Sequence, residues 1–187
     1  MVIIPNDGVE DYRKLVEEAR EFARKAHEGQ KRKYHGAEYF VHPERVAKVA
    51  EELGLPYQYV MAAYLHDVVE DTPTTSEEVK RRFGKEVASH VQWLTNPSKK
   101  HPNLPRAKRK EMDRVHLSSA PDHIKILKAI DRIDNVRDMA LADPDFRKKY
   151  ANESILLADA LLSGKPSETL VKLCSELKAL ANQLASS

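Results

Sequence analysis

Residues 64–73, YLHDVVEDTP, place one histidine and three carboxylates within six positions, directly after the apolar run Met61–Leu65. His66 and Asp67 each carry a donor atom for a metal ion. Glu70 and Asp71 follow four residues later, so on a helix the pairs His66/Glu70 and Asp67/Asp71 stack along adjacent rows. Pro73 disfavours helical geometry at Thr72, which ends the helix there. The carboxylates then sit at the negative end of the helix dipole, where a cation would offset the unfavourable charge. The competing reading is an acidic helix end solvated by water.

Other groups of the same kind shift the balance. His42 opens a helix in YFVHPERVA; alone, it reads as a capping or half-buried histidine. In ILKAIDRIDNVRDM, Asp131, Asn135 and Asp138 form a polar stripe beside the apolar Ile124, Leu127, Ile130 and Ile133. Asp131 lies at the border of that buried face, where an unpaired carboxylate is costly. Two histidines and two carboxylates make a mixed nitrogen and oxygen site. Such a set suits Mn²⁺ or Fe²⁺, with Zn²⁺ as an alternative, and differs from a thiolate-rich structural zinc site. A metal ion in such a site lowers the pKa of water and supplies a nucleophile at neutral pH. Glu70 and Asp71 would remain close by as carboxylates that orient water or carry a proton.

The elements that must hold these groups are helical throughout. Leu15, Ala19, Phe22, Ala23 and Ala26 recur at helical spacing, which predicts a helix over about 9–28. QKRKYHGAEYF follows as a loop. Helices are expected from His42–Pro43 to Gly54, from Pro56 to about Val69, from the TTSEE cap signal to Phe83–Gly84, and over about 85–95. NPSKKHPNLPR reads as a loop, and further helices are expected over 106–117, 122–141, 145–162 and 166–185. The fold class is all-α, a single domain over residues 1–187 packed from amphipathic helices.

Composition narrows the function classes. A net charge of +2 does not announce a nucleic-acid binder. No apolar run approaches the roughly 20 residues of a membrane helix. MVIIPNDGVEDYRK has no secretory-signal pattern, which fits a cytoplasmic protein. The one cysteine, Cys174, excludes an internal disulfide and reads as a small core residue.

The order H…HD…D, carried by His42, His66–Asp67 and Asp131, resembles HD-domain metal-dependent phosphohydrolases. The nearer resemblance is to the hydrolase domain of the RelA/SpoT alarmone proteins and to the small alarmone hydrolases. It is carried by AHEGQKRK, YFVHPERVA, AAYLHDVVEDTPTT, RRFGKEVA and AIDRIDNVRDM. The resemblance implies a helical HD fold with one Mn²⁺ held by His42, His66, Asp67 and Asp131. It implies Glu70 and Asp71 as the catalytic pair, and hydrolysis of the 3′-pyrophosphate of (p)ppGpp to GDP or GTP and pyrophosphate. It further implies Asn135 near water and sugar, Arg32 against the base, Lys33 near phosphate, and Tyr150 on the substrate side, with Asp138 standing in the same stretch. Arg147 and Lys148 read as solvated surface.

The chain departs from the family in places. KYHGAEYF replaces the common KSGEPY after the basic pair, which bears on base and sugar preference. Asp138 stands where the long bifunctional enzymes carry threonine, and LTNPSKKHPNLPR lacks their usual glycine-valine-threonine-lysine run. No synthetase domain follows, so bifunctionality is not expected. Two alternatives stand beside the leading one: a phosphohydrolase of another nucleotide, such as the 2′-phosphate of NADPH or a nucleoside monophosphate, and a catalytically silent nucleotide sensor. The expected partner is a small nucleotide, with no nucleic acid or membrane, and the oligomeric state is left open between monomer and homo-oligomer.

Overall fold

The computed structural model describes residues 6–186, with side chains from residue 11 onward. The reading of MVIIP at the N-terminus lies outside the described residues. The fold is all-α. Its helices are α1 (Asn6–Ala26), α2 (Val41–Glu52), α3 (Tyr57–Leu65), α4 (Val68–Asp71), α5 (Ser76–Leu94), α6 (Arg106–Ser118), α7 (Asp122–Asp138), α8 (Pro144–Leu161) and α9 (Glu168–Ser186). Short 3₁₀ turns cover Pro97–Lys100 and Met139–Leu141. Two compact units form: one takes the chain up to Gln30 with Glu38–Gln92, the other Lys31–Ala37 with Trp93 onward.

In the first unit α3 packs against α1 and α2. Val60, Met61, Ala62, Ala63, Tyr64 and Leu65 are all buried, so the helix is enclosed on every side beyond its first turn. Fully buried alanines, Ala19 and Ala23 on α1 and Ala47 and Ala50 on α2, let the backbones approach closely. Arg20 on α1 donates to Glu44 Oε1 on α2 from Nε at 3.1 Å and Nη2 at 2.7 Å. Its guanidinium also lies 6.0 Å from the Phe40 ring centre, just before α2. These contacts fix the first turn of α2, which carries His42.

The helix expected from Pro56 to Val69 is divided. α3 ends at Leu65, His66 and Asp67 form a turn, and the one-turn α4 resumes at Val68. Asp67 has φ −99° and ψ −9°, a bridge-region conformation. Its carbonyl still accepts from Glu70 N at 3.2 Å and Asp71 N at 2.9 Å, so the two acidic residues stay one turn away. α5 opens where TTSEE predicts, with Thr75 Oγ1 accepting from Glu78 N at 3.2 Å. Gly84, at φ 86° and ψ 167°, breaks it into the two helical stretches expected on either side.

In the second unit α8 and α9 pack together, both contact α7, and α6 lies on α8. Leu117, Ile124, Leu127, Leu157, Leu161, Leu170 and Leu177 form its apolar interior. Cys174 is fully buried among these helices, and burial pushes its thiol pKa up to about 11, as befits an inert core residue. Asp143 caps α8 by accepting from Asp145 N at 3.0 Å and Phe146 N at 3.2 Å. The loop 31–37 closes on itself: Arg32 N donates to Ala37 O at 2.8 Å and Gly36 N to Arg32 O at 3.1 Å.

Candidate functional site

In the first unit His42, His66 and Asp67 form the metal-capable group found among the described residues. His42 and His66 are buried, at 0% and 3% exposure. His66 Nδ1 donates to the Ala63 carbonyl at 2.7 Å, so its Nε2 presents a lone pair. That Nε2 lies 3.2 Å from His42 Nε2 and 3.2 Å from Asp67 Oδ2, with His42 Nε2 3.7 Å from the same carboxylate oxygen. Neighbouring ligands around an ion with bonds of about 2.1 Å stand roughly 3 Å apart, so the donor set fits a divalent cation. A buried ring nitrogen fixed as an acceptor, aimed at another ring nitrogen and a carboxylate, is the arrangement a cation stabilises.

A second layer surrounds this group. The Tyr39 hydroxyl donates to Asp67 Oδ2 at 2.7 Å and lies 3.3 Å from Asp71 Oδ2. The Tyr39 ring stacks on His27 at 4.7 Å and meets His42 edge-on at 6.2 Å. His27 Nδ1 donates to Gln30 Oε1 at 2.8 Å, and Gln30 Nε2 donates to the Asp71 carbonyl at 2.7 Å. His27 is 1% exposed, and burial lowers its pKa, opposed by the hydrogen bond to Gln30 and by the charges of Asp67 and Asp71. Glu70 is half-buried on α4, and Asp71 is exposed at its end.

In the second unit Asp131 is buried on α7. It does not stand as an uncompensated charge: Lys128 Nζ lies 2.8 Å from Oδ2 and Asn135 Nδ2 donates to Oδ1 at 2.5 Å. Arg32 is buried and its guanidinium is engaged. Nε donates to Asp138 Oδ2 at 2.7 Å, and Nη2 lies 2.6 Å from that oxygen and donates to Asn135 Oδ1 at 2.8 Å. His35 Nε2 lies 3.0 Å from Asp138 Oδ1. Lys33 Nζ lies 5.2 Å from the Tyr34 ring centre and 5.8 Å from that of Phe146. Tyr150 is covered by the Arg132 guanidinium at 4.6 Å. Arg147, read as solvated, is instead part-buried, with Nη1 donating to the Ala140 carbonyl at 2.9 Å; Lys148 is exposed.

The groups with obvious chemistry are legible in the sequence; most of the residues that support them are not. Tyr39 lies inside YFVHPERVA, where nothing in its type or spacing marks it as a partner of Asp67. Lys128 sits three residues before Asp131 on the same face, a spacing that signals a pair. His35 stands out only as a departure from the small residue usual there.

The chain matches the HD-domain family model over residues 19–157. It is 39% identical over 141 residues to the guanosine-3′,5′-bis(diphosphate) 3′-pyrophosphohydrolase of Aquifex aeolicus, covering 75% of this chain and 20% of that one. It therefore spans only about a fifth of the length of that relative. It is 35% identical over 134 residues to the pyrophosphohydrolase MESH1 of Xenopus tropicalis, covering 70% of this chain and 73% of the relative. A solved structure of a metazoan SpoT orthologue, described as hydrolysing ppGpp, superposes with a TM-score of 0.78 at 25% identity, over 90% of this chain and 94% of the other.

Proposed function

The chain belongs to the HD-domain family, and on that premise we propose that it hydrolyses the 3′-pyrophosphate of (p)ppGpp, releasing GDP or GTP and pyrophosphate. The observation that carries the reading is the convergence of His42, His66 and Asp67 donor atoms one turn before Glu70 and Asp71. The relatives named as acting on this substrate support it. The chain is taken as one HD domain, because the family match runs from residue 19 to residue 157 through both units. A nucleotide substrate fits a cytoplasmic location, and no helix among the described residues is long and apolar enough to cross a membrane.

His42, His66 and Asp67 are proposed to hold Mn²⁺, with Fe²⁺ or Zn²⁺ as alternatives; Asp131 is proposed as a further ligand on the sequence resemblance. The ion supplies, when bound, a lowered water pKa and charge neutralisation at phosphate. Glu70 and Asp71 orient the attacking water and accept its proton. Attack at the phosphorus attached to the 3′-oxygen breaks that P–O bond. The 3′-oxygen is the leaving group and takes a proton back from the acidic pair, and the attacking oxygen departs as part of pyrophosphate. Arg32 and Lys33 are proposed to face the nucleotide, with Asn135, Asp138 and Tyr150 on the same side. A guanidinium offers a planar surface to a purine, and an ammonium a point charge to phosphate.

A panel of ppGpp, pppGpp, NADPH and common nucleotides, with Mn²⁺ and product identification, tests this. Asp67→Ala is expected to lose metal and turnover together. Glu70→Ala is expected to keep metal and lose turnover by ~10²–10⁴-fold. No pyrophosphate from ppGpp would overturn the substrate, and release of phosphate from NADPH would replace it. Equal turnover by Glu70→Ala and wild type would remove Glu70 from its assigned role.

A further inference from the structure

We infer that Tyr39 is a positioning residue that couples the metal-holding carboxylate Asp67 to the proton-handling carboxylate Asp71. The inference rests on the metal-centre reading above and extends it to a residue with no donor role of its own. Its hydroxyl is 2.7 Å from Asp67 Oδ2 and 3.3 Å from Asp71 Oδ2. Asp67 Oδ2 is also the oxygen turned toward His66 Nε2, at 3.2 Å, and His42 Nε2, at 3.7 Å. A carboxylate on a turn can rotate about its terminal bond. A short hydrogen bond to an ionised oxygen selects one rotamer and one oxygen for the ion.

The phenol can do this because it is itself held. One face of the ring stacks on His27, and His42 meets it edge-on. The Tyr39 backbone N donates to Gln30 O at 2.9 Å. Gln30 then connects both ends: Oε1 accepts from His27 Nδ1 at 2.8 Å, and Nε2 donates to the Asp71 carbonyl at 2.7 Å. The ring that supports Tyr39 and the backbone that carries Asp71 are thus tied to one amide. A shift of the Gln30 side chain moves Asp71 and releases His27. A shift of Tyr39 moves the ligand.

The two roles separate in experiment. Apoprotein titrated with MnCl₂, followed by calorimetry and by the Mn²⁺ paramagnetic resonance spectrum, reads the ligand side without substrate. Tyr39→Phe is expected to weaken Mn²⁺ binding ~10–100-fold and to change the spectrum. At saturating Mn²⁺ it is expected to lower kcat with KM kept within about twofold, because the nucleotide groups are untouched. Gln30→Leu keeps the hydroxyl but frees the Asp71 carbonyl directly and Tyr39 only indirectly through His27, so it is expected to lower kcat and to weaken Mn²⁺ binding less than Tyr39→Phe does. Wild-type Mn²⁺ affinity and spectrum in Tyr39→Phe would overturn the inference, as would a loss confined to KM. If wild type failed to turn over ppGpp while Tyr39→Phe still lost Mn²⁺ affinity, the coupling would stand and the substrate reading alone would fall.

Discussion

Asp138 shows what a single carboxylate does when a guanidinium and an imidazole converge on it. Its Oδ2 takes the Arg32 guanidinium at 2.6–2.7 Å, and its Oδ1 faces His35 at 3.0 Å. Both members of the Arg32–Asp138 pair are 9% exposed, so the charges are largely removed from water. Removing one charge from such a pair strands the other, at a cost of several kcal/mol. Asp138→Asn keeps the shape but replaces the carboxylate facing the Arg32 guanidinium with a neutral amide. The expected result is a loss of roughly 3 kcal/mol in denaturant unfolding. A rise in nucleotide KM larger than the change in kcat is expected with it; unchanged stability would show that the pair carries no net weight. Both residues could be picked from the sequence by type, since each is charged and near other candidates. Their pairing could not, because they lie 106 positions apart and no local period links them. The same holds for Tyr39, whose only sequence signal is an aromatic beside a histidine helix.

Local signals settled most helices because their boundaries carry their own chemistry. The Thr75 cap, Pro144 at the start of α8 and the apolar period of α7 are each readable without tertiary contacts. The break after Leu65 was not readable. His66 has α-region backbone angles, φ −61° and ψ −31°, and nothing in its residue type ends a helix. The interruption comes with Asp67 entering the bridge region, where its side chain joins the histidines. Gly84 is the opposite case, a break written in the sequence. At φ 86° and ψ 167° it occupies a region that residues with a Cβ avoid, yet an added Cβ would meet no atom within 4 Å. Gly84→Ala therefore isolates backbone strain from crowding. Urea unfolding is expected to show a loss of about 1–3 kcal/mol. A neutral result would mean that α5 can straighten or bend elsewhere at no cost.

For the whole molecule, charge location matters more than the net value of +2. α6 and α7 place Lys110 close to Arg132 and Lys128, and burial, the largest influence, lowers its pKa to about 8. The repulsion from Arg132 adds to burial, while Asp113, 3.8 Å from Nζ, opposes it. Below pH 8 the folded chain carries a charged amine it disfavours. Between about 8 and the ordinary 10.5, the unfolded chain binds more protons at this group than the folded one. Its contribution to stability therefore rises with pH across that window. Burial moves the tyrosines Tyr57, Tyr59 and Tyr64 upward, so above roughly pH 10 the unfolded chain loses protons first and stability falls. Lys110→Met keeps the aliphatic stem and removes the titration. Asp113 remains satisfied, since Ser98 donates to it from N at 3.2 Å and from Oγ at 2.9 Å. The variant is expected to be more stable than wild type at pH 7 by on the order of 1–2 kcal/mol, less than the full pKa shift because the amine retains some access to water. The advantage should shrink steadily from pH 8 to pH 10. Denaturant midpoints for both proteins across that range read the difference directly, and a difference that stayed constant with pH would show that Lys110 titrates as it does in the unfolded chain.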